Sequence, residues 1–89
     1  MKIKLELFGA SRDFSNKDHL EFDIKGQLKI KDFRKEIINY LDRNFKGNES
    51  FIKIVKNSVF CSEDNNIIND DFKIIKDQKI GIIPPIGGG

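Results

Sequence analysis

The stretch Gly81-Ile82-Ile83-Pro84-Pro85-Ile86-Gly87-Gly88-Gly89 closes the sequence, and its reading decides the fold. An apolar strand runs into two prolines, then one anchor residue, then three glycines. Adjacent prolines hold φ near −65° and remove two backbone donors, so Ile83 is the last residue that pairs easily in a sheet. They also favour an extended arm that points away from the body. Glycine has no Cβ and accepts nearly any φ/ψ, so the end is expected to be thin enough to thread a narrow channel. A Gly-rich end is commonly a disordered terminus or the scar of a tag. An apolar strand feeding a rigid spacer is unlike either. The expected arrangement is a body over residues 1–83 and a Pro-Pro-Ile-Gly-Gly-Gly tail over 84–89, with the carboxyl of Gly89 as the reacting group.

Working back from that tail, Lys79 to Ile83 is the final strand, entered through the turn Lys76-Asp77-Gln78. Phe72, Ile74 and Ile75 before it are expected to close the core, after an irregular stretch over Ile67 to Asp71 and a loop over Ser62 to Asn66. Val59-Phe60-Cys61 reads as a short strand. Phe51 to Lys56 is β-branched and apolar enough to predict a central strand, with Asn57-Ser58 as its turn. Farther back the period changes. Ile30, Phe33, Ile37, Leu41 and Phe45 recur at three- and four-residue steps, which predicts an amphipathic helix of about four turns. Asp32 suits its positive end and Gly47-Asn48 its stop, but Lys29 stands where a capping Ser, Thr or Asp is expected. At the start of the chain, Ile3, Leu5 and Leu7 alternate with polar residues, and Leu20, Phe22 and Ile24 do so again before Gly26. Two alternating strands joined by a polar loop, with Phe14 as an inward plug, predict an antiparallel hairpin. A hairpin followed by one helix laid across a mixed sheet is a two-layer α+β domain, in which the last strand can sit centrally.

Composition bounds what such a domain does. Eighty-nine residues make one domain, and 38% hydrophobic content with eight Phe supports a small core without disulfides or metals. Charged residues reach 34% yet nearly cancel at +2, which gives no electrostatic case for nucleic acid. The lone Cys61 forms no internal disulfide, and no apolar run approaches a membrane span, so a cytoplasmic location is expected. His19 has no carboxylate or cysteine pattern of a metal site beside it. The acids Glu63, Asp64, Asp70 and Asp71 lack the spacing of a calcium loop. Gly87-Gly88-Gly89 is followed by no helix and no Lys-Ser/Thr, so it is not a phosphate loop. No acid–base or nucleophile constellation marks an enzyme of its own, and no cofactor or metal is expected to bind directly.

The element order, with the ending Ile82-Ile83-Pro84-Pro85-Ile86-Gly87-Gly88-Gly89, resembles the ubiquitin-like β-grasp sulfur carriers, and most of all the small subunit of molybdopterin synthase. Thiamine-pathway carriers share the Gly-Gly but usually lack the Pro-Pro. Leu7-Phe8-Gly9-Ala10-Ser11-Arg12-Asp13 is similar to the family's first strand and arginine-bearing loop, and Lys31-Asp32-Phe33-Arg34-Lys35 to its helix start. The sequence departs from the family at Lys29 and in the long segment Asn69 to Gln78, which lacks the usual Asp-Gly-Asp turn. Ile52 to Asn57 resembles archaeal small modifiers, which conjugate to lysines, at least as well. The resemblance implies an E1-like adenylating enzyme that uses ATP to activate Gly89. A persulfide or sulfide donor then leaves a thiocarboxylate. A large catalytic subunit, which would supply the acid–base residues, receives Gly87, Gly88 and Gly89 in its active site and passes the sulfur to a pterin precursor. Pro84, Pro85 and Ile86 are the implied stand-off. Phe8, Arg12 and Ile83 are the docking residues by resemblance, and Phe60 joins them by its strand position. The alternatives are a ubiquitin-like protein modifier, a carrier for tRNA thiolation or thiamine synthesis, or a binding module whose tail is incidental.

Overall fold

The computed structural model describes residues 1–85. The expected hairpin is present: β1 (Lys2–Leu7) pairs antiparallel with β2 (His19–Asp23), with Leu5 opposite Leu20 and Ile3 opposite Phe22. Between them a 3₁₀ segment, Gly9–Phe14, turns the chain and drives the Phe14 ring wholly into the core. A short β3 (Leu28–Lys29) leads directly into α1 (Ile30–Phe45). Ile30, Phe33, Ile37 and Leu41 are buried, as the three- and four-residue spacing demands, while Phe45 is only partly covered. Lys46 adopts the left-handed conformation at the end of α1, and Gly47 follows with φ +71°. That is the glycine stop expected there.

The missing cap at the start of α1 has a tertiary solution. No side chain caps the helix at Lys29. Instead, the Ile30 N–H donates to the Phe72 carbonyl at 2.9 Å and the Lys31 N–H to the Asp70 carbonyl at 3.1 Å. The long segment that departs from the family pattern therefore satisfies two donors that a helix start leaves open. It is held there by β6 (Lys73–Ile74), which pairs antiparallel with β3. Ile74 is buried as expected, but Ile75 is 60% exposed and does not close the core.

Residues 51–56 do not form a strand. They lie in α2 (Glu49–Asn57), which Asn48 caps by accepting the Phe51 N–H at 3.1 Å. Phe51, Ile54 and Val55 stand three and four apart, so the stretch carries a helical stripe as well as a β-prone composition, and the cap with Glu49 in the first turn decides between them. The Phe51 ring packs between Phe14 and Phe45, with centroids at 5.1 and 5.0 Å. The place beside the last strand goes to β4 (Val59–Cys61), flanked in turn by β5 (Ile67–Ile68), a short strand in the stretch expected to be irregular.

The last strand, β7 (Gln78–Ile83), runs parallel to β1 and antiparallel to β4, giving the order β2-β1-β7-β4-β5. It is thus the central strand, as expected. Both helices cover one face of this sheet, and Ile80, Ile82, Leu5 and Phe60 are fully buried in the core. Among the described residues no helix is long and apolar enough to cross a membrane.

Arg34 locks the layers together. Its Nη1 donates to the carbonyls of Val55 at 2.6 Å and Ser58 at 2.8 Å, its Nη2 reaches Asp70 Oδ1 at 2.9 Å, and its guanidinium lies 4.9 Å from the Phe60 ring centre. One side chain thereby joins α1, the end of α2, β4 and the segment over the start of α1.

Candidate functional site: the stem of the tail and its margin

β7 delivers the chain to the rim of the sheet. Ile83 pairs with Val59 at the end of the ladder and is half-buried. Pro84 is buried, with its Cγ and Cδ 3.9 Å from where a Cβ on Gly9 would stand. Gly9 itself has φ +55°, a conformation that favours glycine and brings the 3₁₀ segment against the proline. Pro85 is exposed. The stem is therefore gripped at its base and released one residue later. Ile86, Gly87, Gly88 and Gly89, on which the expected chemistry falls, lie outside the described residues.

The sheet face opposite the helices carries an apolar patch at this rim. Phe8 and Val59 are each 45% exposed and Ile67 is 65% exposed, with Ile83 among them. Gly81 lies beneath: a Cβ there would meet Cys61 Sγ at 2.7 Å and Phe8 Cε2 at 2.9 Å. A glycine in the middle of a central strand is explained by this close approach, and its φ plays no part. The Phe8 ring rests on a surface that any larger residue would lift. Farther along the same face the patch gives way to charge, where Lys79 Nζ meets Glu6 Oε1 at 2.9 Å. The hydrogen bond from Lys79 to Glu6 is the main cause that raises the lysine's pKa above its ordinary value.

The structure brings Phe8, Ile83, Pro84 and Pro85 to one end of the molecule, and leaves Arg12 exposed on the 3₁₀ segment that follows Phe8. Phe60 does not belong with them. It is fully buried, pairs with Ile82 and packs on Phe33 at 6.3 Å between ring centroids. The alternation of a strand settles this, since Phe60 points to the helices and its neighbours Val59 and Cys61 point away. Val59 and Ile67 are the surface residues that the sequence reading missed, and the parity of the β4–β7 pairing was the signal that could have found Val59. A groove of about 300 Å³ flanks the stem on its other side, between Pro84, Pro85, Ala10 and the α2 residues Lys53 and Ile54.

Other chemistry-bearing residues are dispersed. His19 is held by Asp18 at 2.9 Å and Glu21 at 3.5 Å on the far edge of the sheet. Cys61 is buried against Gly81. Among the described residues no group of three His, Cys, Asp or Glu side chains could hold a metal ion. Among the described residues, this end of the molecule offers a firmly based stem beside an apolar surface.

No family model matches the sequence, and no curated protein is similar to it in sequence. Solved structures are similar in fold. A chain from Pyrococcus furiosus described as “Putative molybdopterin converting factor, subunit 1” matches with a TM-score of 0.70 at 17% identity, over 96% of this chain and 98% of that one. SAMP1 from Haloferax volcanii matches with a TM-score of 0.68 at 12% identity, over 100% of both chains. With its central parallel β1–β7 pair, its hairpin and its helix across the sheet, the chain has the ubiquitin-like β-grasp fold.

Proposed function

We propose that this chain is a sulfur carrier of the molybdopterin-synthase small-subunit type, acting through the carboxyl of Gly89. The observation that carries the reading is the stem: a central strand ends in a buried Pro84 and an exposed Pro85 at the margin of an apolar patch. A carboxylate is a poor acyl donor, because its charge repels nucleophiles and oxide leaves badly. An E1-like partner that consumes ATP would convert it to an acyl-adenylate. Sulfide would then displace AMP and leave a thiocarboxylate; a persulfide would displace AMP to give an acyl disulfide, whose S–S bond a second thiol cleaves to release the thiocarboxylate. Inserted into a large catalytic subunit, that sulfur reaches the pterin precursor without diffusing free, since tethering raises its effective concentration. The prolines limit the entropy lost when the tail is threaded. The patch of Phe8, Val59 and Ile83, with Arg12 as a rim charge, is the surface we assign to partner docking.

A second reading keeps its place because SAMP1 matches the whole of this chain. In it, Gly89 forms isopeptide bonds with lysines of target proteins. Intact mass of the untagged protein from its own cells separates the two. Oxygen replaced by sulfur at the terminus supports the carrier, whereas a ladder of larger species joined through Gly89 supports the modifier. The unmodified mass under all conditions, with full pathway output after one residue is appended behind Gly89, would overturn both. Gly88→Val is expected to block transfer more than it harms folding, read by sulfur transfer against thermal unfolding, because a side chain in a threaded tail obstructs insertion.

A further inference from the structure

The groove of about 300 Å³ between the 3₁₀ segment and α2 has the stem itself as one wall, since Pro84 and Pro85 both line it. Ala10 and Ile54 add apolar surface, and Lys53 and Asn57 bound it. Its walls are fixed in place: Pro84 is buried, and Ile54 is packed on the core. Among the described residues, Lys53 is the one charged side chain in the lining. Glu49 stands one turn before it on α2 and Lys56 follows within a turn, all three exposed, so this stretch of the helix is positive on balance. Among the described residues Lys53 is in no ion pair. Arg12 and Asp13, which follow Ala10 in sequence, offset each other.

Four residues follow Pro85, namely Ile86-Gly87-Gly88-Gly89. Ile86 is the one apolar side chain of any size among them. It is joined to a residue of the groove wall, so its Cα lies about 3.8 Å from that of Pro85. The three glycines beyond it span at most about 11 Å and have no side chains to keep them off the surface of α2. The charge of this segment is its terminal carboxylate. The groove offers that group an ammonium on a flexible four-carbon stem. On the other side of the stem, by contrast, the lysine of the sheet face, Lys79, is already taken by Glu6.

We infer that, between encounters with its partners, the tail of this chain rests in the groove. Ile86 covers the apolar surface of Ala10, Ile54 and the prolines, and the Gly89 carboxylate pairs with Lys53. The seating takes from the function proposed above only that Gly89 carries the terminal carboxyl. Its consequence rests on that function in full: an adenylating enzyme or a large subunit that engages the tail has to lift it out first, so the groove competes with both for the same four residues.

The test uses the untagged, isotope-labelled full chain, at dilutions where the results do not depend on concentration. Nuclear Overhauser cross-peaks from the Ile86 methyls to those of Ala10 and Ile54 are expected. A water-soluble carbodiimide should then join Gly89 to Lys53. It activates the carboxyl as an O-acylisourea, the lysine amine attacks the carbonyl carbon and loses a proton, and the urea leaves. The product is lighter than the parent by one water and shows the linkage in its peptide map. Ile86→Ser should slow that linkage several-fold, because the apolar contact is lost. Lys53→Arg should prevent it and keep the cross-peaks, whereas Lys53→Glu, which sets like charges together, should weaken them. Amide spectra away from the groove check each variant for an unchanged fold. Cross-peaks from Ile86 to Phe8 or Val59 instead, linkage of Gly89 to other lysines as fast as to Lys53, or a linkage rate unchanged by Ile86→Ser would overturn the inference. Intact mass of the chain from its own cells keeps the two readings apart. A thiocarboxylate without these contacts overturns the seating alone, and the contacts in a chain that never carries sulfur uphold the seating and count against the carrier.

Discussion

Replacing Arg34 by methionine tests how the layers of this small domain are held. Methionine keeps most of the length and apolar bulk, so the change isolates the guanidinium. Two of its hydrogen bonds go to the carbonyls of Val55 and Ser58 at 2.6 and 2.8 Å, where α2 ends. Hydrogen bonds to a charged group contribute about 1.5–3 kcal/mol each when their partner is left without a substitute. A cation at a helix C-terminus adds about 0.3–1 kcal/mol, and stacking over Phe60 contributes about 0.5–1 kcal/mol. The Asp70 pair adds little, since that carboxylate is more than half exposed. Because the bonds share one donor and water can enter in its absence, these contributions do not add fully. The expected loss is about 3 kcal/mol, a large part of the roughly 4–13 kcal/mol that a domain of this size commands. Urea unfolding followed by circular dichroism would read it as a lower midpoint at unchanged slope, and thermal unfolding as a fall of about 12–20 °C. Arg34→Lys should recover only a minor part, because an ammonium cannot fork to two carbonyls and a carboxylate in one plane. A loss below about 1 kcal/mol in Arg34→Met, or full recovery by lysine, would refute the reasoning.

Other outcomes follow from single contacts. Gly81→Ala should destabilise by about 1–2 kcal/mol through overpacking against Cys61 and Phe8, and Cys61→Ala should restore part of it; a neutral or stabilised variant would show that the strand tolerates a Cβ there. Phe14→Ala removes a fully buried ring and should cost about 3–5 kcal/mol in chemical denaturation, whereas Phe8→Ala, at a half-exposed ring, should cost far less and show its effect in partner binding. Asn48→Ala should cost about 1 kcal/mol, with hydrogen exchange at Phe51 rising first. Asp18 has its pKa lowered chiefly by the hydrogen bond from His19, so its contribution is present above the ordinary carboxylate pKa and is lost as pH falls through the lowered value. The stability gap between the parent and Asp18→Asn should therefore be larger at pH 6 than at pH 2. A gap of the reverse order would contradict the pairing.

The alternation in Lys2–Leu7 and His19–Asp23, the stripe of Ile30, Phe33, Ile37 and Leu41, and the Pro-Pro break after Ile83 are local, so the hairpin, the main helix and the exit of the stem were legible in the sequence. Each depends on a repeat that one element imposes on itself. Phe51 to Val55 was not legible in that way, because its composition suits a strand and its spacing suits a helix. Only the Asn48 cap and the aromatic neighbours Phe14 and Phe45, which the folded chain brings together, decide it. The same holds at the site. Chain order placed the prolines at the stem and the family resemblance placed Phe8 and Ile83 beside them, but which side of β4 faces solvent depends on its register with β7, and that register buries Phe60 and exposes Val59. Lys29 could not reveal that its helix borrows carbonyls from residues about forty positions later, since those acceptors exist only once β3 and β6 have paired. Sequence alone thus determined the elements whose period is written in neighbouring residues. The tertiary structure decided the caps, the faces and the patch, because each is a contact between residues that only folding makes adjacent.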